Sequence, residues 1–287
     1  MGIPVNPNTS VEDLVSDLGG RYESSRVTLS KADDSALDVQ TLTLPAVASA
    51  TQADYVVIYN AAGATEALWL DIDADGTTPT GAAYVAADTK TKVSVTTGQT
   101  AAQVATALFG AIALADVTPV DNSDGTVTIS GDNIGPASAA VPKNADDSGA
   151  GSITATHDTT GATSSFQNKY FTFRTGADAA RYVWFNVNAE GSDPSPGGTG
   201  SEVSVRVGDT EATIGANVAD AINGVSGMDA DYEGAGVIKI GALADANITD
   251  IAAGNAPVTA SVAVQGESAL DYPGMSPGSI SLNPAAL

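Results

Sequence analysis

The sequence predicts a mainly β protein of the α+β class, built from two tandem copies of one sandwich-like domain with an extended arm at each end. The first observation is a strand–turn pattern that occurs twice without a gap, which indicates a duplicated domain. The second is composition: 30 glycines, 43% hydrophobic residues and only 5% aromatic residues favour β-rich domains with many tight turns. The paired positions are Tyr55 and Tyr170, Trp69 and Trp184, Gly76 and Gly191, and Pro79 and Pro194, all at one offset (170 − 55 = 115).

Charge and cysteine content exclude several classes of function. The formal net charge is −23, from 34 acidic and 11 basic residues, so nucleic-acid and anionic membrane partners are not expected. The chain has no cysteine, which removes disulfides, thiolate metal sites and cysteine nucleophiles. Neither a signal peptide nor an apolar run of roughly 18 residues is visible, so we expect a soluble protein that leaves its cell only by assembly or lysis.

Residues 1–39 match neither repeat and are predicted to form an N-terminal arm. Within it, residues 10–20 have the pattern of a short helix, with Ser10 as the N-cap and Gly19 as the stop. The apolar positions Val11, Leu14, Val15 and Leu18 fall on one stripe. So short a helix must dock on a surface, either on its own domain or on a neighbouring subunit.

Repeat domain 1 is predicted over residues 40–162. Strands are expected at residues 55–59, 68–73 and 92–96. Thr100 and Gln103 have the spacing of a capping box, and Val104, Leu108 and Ile112 then recur on one helical face. A hairpin around residues 122–125 and a last strand from Ile153 complete the order β-β-β-α-β-β(-β). One helix over a mainly antiparallel sheet or small sandwich is the simplest layering.

Repeat domain 2 is predicted over residues 163–266 with the same order of elements. Lys92 and Glu202 align at an offset of 202 − 92 = 110, so the length differences lie in loops. The helical stripe returns as Ile214, Val218 and Ile222. Residues 267–287 have no duplicated counterpart and are predicted to form a C-terminal arm.

Asp71, Asp73 and Asp75 followed by Gly76 are the one candidate metal site, because this spacing opens a helix-flanked calcium loop. Two features argue against that kind of loop: position 12 is Ala82, and a strand precedes the aspartates. The second copy, residues 186–191, loses most of the charge. The alternatives are therefore a calcium site of another kind and a solvated acidic strand end.

No set of residues predicts catalysis, so we expect a protein that is not an enzyme and has no cofactor. His157 is the only histidine, which excludes a zinc or two-histidine iron site and favours an exposed position at a strand end. The sequence lacks the phosphate-binding G-x-x-x-x-G-K-[ST] pattern. Trp69 and Trp184 could stack on sugar rings, but their repeated strand positions favour packing or an inter-subunit contact.

The second repeat resembles a module of virion structural proteins from tailed bacteriophages. The pattern is Tyr-Phe-Thr-Phe, then Tyr-Val-Trp-Phe-Asn-Val, Gly-x-x-Pro, Val-Ser-Val-x-x-Gly-Asp-Thr and Ala-x-Val-Ala-x-Ala-Ile. It covers residues 170–222 well and residues 55–112 more loosely. This resemblance implies a non-enzymatic, multi-copy subunit of a phage head or tail, assembled into virions in the host cytoplasm.

Two positions in a virion compete. A capsid decoration (cement) or head-fibre protein would use its arms to hold the major capsid protein, and a tail-tube protein would form stacked rings around the DNA. Duplicated tube domains could let a trimer act as a hexamer-like ring. Residues 74–91 are short for the inter-ring loop of a tube, which favours decoration. A tandem carbohydrate-binding module is the alternative from another class, and it would need an exposed aromatic platform.

Overall fold

The computed structural model describes residues 22–243 and 250–264 and has mainly β structure. The chain divides into two compact units. We call Asp34–Ser164 the inserted unit, and the parts of the chain on either side of it, residues 22–33 with 165–264, the split unit. The predicted helix at residues 10–20 and the predicted arm at 267–287 lie outside the described residues. No helix within the described ranges is long and apolar enough to cross a membrane.

The elements follow in chain order. They are β1 (Tyr22–Leu29), β2 (Leu37–Thr43), a 3-10 turn (Val47–Ser49), β3 (Tyr55–Tyr59), β4 (Thr65–Ile72), α1 (Ala82–Ala86), β5 (Thr89–Val95), α2 (Ala101–Ala111), β6 (Val117–Asp121), β7 (Thr126–Ile134), β8 (Val141–Lys143) and β9 (Thr154–Thr159). The later elements are β10 (Tyr170–Arg174), β11 (Ala180–Val187), β12 (Thr199–Val205), α3 (Glu211–Asn223), β13 (Met228–Gly234), β14 (Val237–Leu243) and β15 (Val258–Val264).

Each unit contains two sheets. In the inserted unit the strand orders are β6-β7-β2-β9 and β5-β4-β3-β8. In the split unit they are β13-β14-β1-β15 and β10-β11-β12. Most neighbours are antiparallel, but β4 with β5 and β11 with β12 run parallel, so the sheets are mixed.

One core joins both sheets and α2 of the inserted unit. Its members are Leu42, Leu44, Val127 and Ile129 from the first sheet, Val56, Ile58, Leu68, Leu70, Val93 and Val95 from the second, and Val104, Ala105 and Leu108 from α2. The opposite face of β3 and β4 carries Tyr55, Val57, Ala67 and Trp69, which pack with Tyr84 of α1. Side chains of β4 therefore alternate between two packed faces, and both faces of this strand are buried.

The split unit buries a richer set of aromatic side chains. Phe185 of β11 lies 5.0 Å from Phe166 and 6.4 Å from Phe171, ring centre to ring centre. The apolar stripe of α3 is fully buried at Ile214, Val218 and Ile222, as its spacing predicted.

The capping box predicted at the start of α2 is also confirmed. Gln103 N–H donates to Thr100 Oγ1 (3.3 Å), and Thr100 N–H donates to Gln103 Oε1 (2.9 Å), which completes a capping box. Thr210 caps α3 through Thr213 N–H (3.2 Å). These side chains satisfy amides that the first turn of a helix leaves without a partner.

The predicted N-terminal arm over residues 1–39 differs from the structure over residues 22–39. Tyr22–Leu29 is a central strand of the split unit, between β14 and β15, and Leu37 already begins β2. The split unit therefore takes strands from both sides of the inserted unit, where tandem domains at 40–162 and 163–266 were predicted. The sequence could not reveal this, because about 200 residues separate β1 from its partner strands.

β1 and β2 have matching surroundings in their own units. Leu29 N–H donates to Gly236 O (2.9 Å), and Leu44 N–H donates to Gly125 O (2.9 Å). Leu29 and Leu44 are each 3% exposed. Both glycines have positive φ, 97° at Gly125 and 73° at Gly236, a backbone conformation that favours glycine.

Candidate functional site

The acidic turn after β4 holds the predicted metal ligands, and its first aspartate is buried. Gly76 N–H donates to Asp71 Oδ1 (2.8 Å), and Lys92 Nζ of β5 lies 3.1 Å from Asp71 Oδ2. The hydrogen bond from the Gly76 amide lowers the pKa of Asp71 most, and Lys92 and Gln52 lower it further. Together they outweigh the effect of burial and hold this pKa below its ordinary value. Asp71 therefore closes the turn and anchors the neighbouring strand.

Asp73 and Asp75 have other partners. Thr97 donates to Asp73 through its N–H (2.8 Å) and its hydroxyl (2.5 Å), which lowers the pKa of Asp73. Thr77 donates its N–H (3.2 Å) and its hydroxyl to Asp75 Oδ1. Asp73 and Ala74 both adopt positive φ, 55° and 59°, so the backbone reverses here. The three carboxylates serve three separate hydrogen-bond groups.

The split unit has the same turn with different charges. Gly191 N–H donates to Asn186 Oδ1 (2.7 Å), and Asn186 Nδ2 donates to Glu202 Oε1 (2.7 Å). Asn188 and Ala189 repeat the positive φ, 53° and 60°. The pair Asp71–Lys92 thus corresponds to Asn186–Glu202, in which the side chain that closes the turn is neutral and its partner is acidic.

A shared glutamine strengthens this comparison. Gln52 Oε1 accepts from Ile72 N–H (2.7 Å), and Gln167 Oε1 accepts from Val187 N–H (2.8 Å). The offset is again 115 (167 − 52 = 115). The turn therefore has a structural role in both units, and within the described ranges no group of three or more His, Asp or Glu side chains could hold a metal ion.

His157 lies in β9 and is held by a buried carboxylate. Its Nε2 is 2.8 Å from Asp38 Oδ2, which also accepts from Ala137 N–H and Gly161 N–H (3.2 Å each). Burial raises the pKa of Asp38, but hydrogen bonds from Gln40, His157 and the two amides outweigh it and hold that pKa below its ordinary value. The pair joins β2 to β9 and to the segment after β7.

Glu66 is a second buried acid that sequence reasoning missed. It is 0% exposed, and its Oε2 accepts from Ala113 N–H (2.9 Å) and Leu114 N–H (2.7 Å). Its Oε1 accepts from the hydroxyl of Thr91 (2.5 Å). Glu66 therefore holds the segment that follows α2 against β4 and β5.

Tyr55 and Asp147 fix α1 to the inserted unit. The Tyr55 hydroxyl donates to Asp147 Oδ1 and accepts from Tyr84 N–H (3.1 Å), and Ala83 N–H donates to Asp147 Oδ2 (2.9 Å). Burial raises the pKa of Tyr55, and the neighbouring Asp147 carboxylate raises it further. A Cβ on Gly81 would lie 2.7 Å from the Tyr55 hydroxyl, so this approach requires glycine.

Both tryptophans are packed within their units. Trp69 is 5% exposed and Trp184 is 7% exposed. Neither ring face is open for stacking on a sugar. The predicted packing role accounts for their equivalent places on β4 and β11.

Sequence reasoning found the acidic turn but missed Asp38, Glu66 and Asp147. Most of their donors lie far away along the chain, so no local motif marks them among 34 acidic residues. Asp147 itself lies in the loop between β8 and β9, and Ala137 and Gly161, which donate to Asp38, also lie in loops, which have no periodic pattern to read.

Comparison with known proteins gave no match: no family model fits the chain, and neither the curated proteins nor the solved structures gave a significant similarity.

Proposed function

We propose that the protein is a non-enzymatic structural subunit of a tailed-bacteriophage virion, and that it acts as a capsid decoration (cement) or head-fibre protein. The observation that carries this proposal is the use of the polar side chains. The acidic and amide groups at the equivalent turns are engaged in closing the turns and joining strands. Such groups stabilise a scaffold, and a scaffold present in many copies is what a particle requires.

We further propose that the two units arose by duplication. Three matches support this: the order of strand pairings, the glutamine and turn hydrogen bonds, and the positive-φ positions of the same turns. In chain order the inserted unit lies between β1 and β10 of the split unit, so the duplicate would have been inserted into the chain of the other unit.

Residues 74–91 favour the decoration role over the role of a tail-tube protein. A tube requires a long loop that reaches a neighbouring ring. Here that segment contains α1, whose Tyr84 is 9% exposed and whose amides are bound by Tyr55 and Asp147. The segment is thus used within its own unit.

A carbohydrate-binding role receives no support from the aromatic side chains. Among the residues whose side chains are described, Phe109 of α2 is the one exposed aromatic group, at 38%. A sugar platform requires an accessible ring face, usually of tryptophan or tyrosine. The proposed partners are therefore other copies of this chain and the major capsid protein.

Electron microscopy of the purified protein tests this proposal. We expect discrete particles that bind to expanded phage capsids and raise their resistance to heat. A matched control is the protein without residues 1–21 and 265–287, which we expect to stay folded and lose capsid binding. Hollow stacked rings in the absence of capsids would favour the tail tube, and specific binding on a glycan array would contradict both virion roles.

A further inference from the structure

Sheet edges are where unpaired backbone groups can recruit another strand, and natural proteins protect them with charge or proline. The four sheets in the described residues have eight edge strands. Seven of these strands carry a charged residue, a proline or both. They are β5 (Lys90, Lys92), β6 (Pro119, Asp121), β8 (Pro142, Lys143), β9 (Asp158), β10 (Arg174), β12 (Glu202) and β13 (Asp229, Asp231, Glu233).

The exception is β15. Its sequence, Val-Thr-Ala-Ser-Val-Ala-Val, has no charge, no proline and no glycine. Four of its seven residues, three Val and one Thr, favour β structure, and the strand is paired on one side with β1 over residues 258–264. Thr259 and Ser261 are exposed, so polar side chains of small size line its solvent side.

The contrast with β9 is specific, because β9 has the equivalent place in the inserted unit. Both strands form the outer edge beside the first strand of their sheet. Thr41 of β2 pairs with Thr156, as Arg26 of β1 pairs with Ser261. β9 nevertheless contains His157 and Asp158, and β15 has no charge at all. Similar scaffolds thus differ in edge protection at one place.

We propose that β15 is a self-association edge, which pairs antiparallel with β15 of a second copy about a two-fold axis near Ser261. Such pairing would join two four-stranded sheets into one continuous sheet of eight strands. When the two-fold axis passes through a residue, even-numbered positions of one strand face even-numbered positions of the other. The sheet face that includes buried Val258 therefore continues from one copy to the next.

Charge favours a second copy of this chain as the partner that pairs with β15. In a two-fold antiparallel pair each strand meets its own sequence reversed, so a charge on the axis, or two like charges placed symmetrically about it, would face each other. A self-pair of β13 about Asp231 would place Asp229 opposite Glu233. β15 carries no charge, so it can meet itself in any register without charge repulsion between the strands, in a chain whose net charge of −23 opposes most self-contacts.

The first experiment measures mass by sedimentation velocity over a wide range of protein concentration, in about 0.15 M salt to screen the net charge. We expect a reversible monomer–dimer equilibrium. Ser261→Glu should raise the dimer dissociation constant by about tenfold or more, since two carboxylates would face each other. The new carboxylate lies beside Arg26, so the monomer should stay folded. Ser261→Thr is the matched control and should dimerise like the unmodified chain.

The second experiment uses the absence of cysteine in the chain. Directly opposed residues of an antiparallel pair have Cα atoms about 4.5–5.5 Å apart, within the range of a disulfide. Ser261→Cys should therefore form a covalent dimer on mild oxidation. Thr156→Cys, at the equivalent place on β9, should crosslink much more slowly.

Three results would overturn the proposal: a monomer at every concentration, a dimer insensitive to Ser261→Glu, or equal crosslinking of the two cysteine variants. The inference rests on the edge itself and does not depend on the virion role. A dimer that fails to bind capsids would contradict the proposed function alone.

Discussion

Replacement of Glu66 by alanine should destabilise the inserted unit and leave the split unit unaffected. The Glu66 carboxylate is the acceptor for the amides of Ala113 and Leu114 and for the hydroxyl of Thr91. A buried donor that loses its acceptor costs about 1–3 kcal/mol. Ala113 is exposed, so water can solvate part of this loss. We therefore expect a decrease of about 2–4 kcal/mol in the free energy of unfolding.

Urea unfolding followed by tryptophan fluorescence measures this loss. Each unit has one of the two tryptophans, so Trp184→Phe leaves Trp69 as the reporter of the inserted unit. Glu66→Gln preserves the shape and one acceptor oxygen, and it should cost less than Glu66→Ala. Arg181 is the equivalent residue of β11 (181 − 66 = 115), and Arg181→Ala should leave the Trp69 transition unchanged. A loss below about 1 kcal/mol for Glu66→Ala would refute the assigned role.

Three further predictions concern the acidic groups. Lys92→Glu should lower the melting temperature because it places a second carboxylate beside buried Asp71. Asp71→Asn in the same chain should restore most of the loss, since it reproduces the Asn186–Glu202 pair of the split unit. Lack of recovery in the double variant would contradict the equivalence of the two turns. The pKa of Asp38 is held below its ordinary value of 3.8, so its contribution to stability is present above that pH and lost as the pH falls through the pKa of the folded state. Acid titration followed by circular dichroism should therefore show a shallower decrease for Asp38→Asn than for the unmodified chain, and parallel curves would contradict this linkage. Because Asp71, Asp73 and Asp75 each have their own partners, calcium should leave the melting temperature unchanged, and a calcium-dependent rise that Asp73→Asn abolishes would restore the metal hypothesis.

Local patterns predicted the parts of the fold that depend on neighbours along the chain. The capping box at Thr100 and the stripe of α3 needed only spacing, because helix contacts repeat every three to four residues. The hairpin between β6 and β7 followed from its turn residues. The acidic turn was also found, but its meaning required the positions of Lys92 and Thr97 on other elements.

By itself the sequence determined the β-rich composition, the recurring strand–turn pattern and the places of both long helices. These depend on residue type and on periods of two or 3.6 residues, which a linear chain displays directly. Only the tertiary structure decided that β1 belongs with strands about 200 residues away, that Asp71 is paired with Lys92, and that β15 is an edge strand among the described residues. Partners across a sheet are chosen by packing in space, and no local spacing in the chain encodes them.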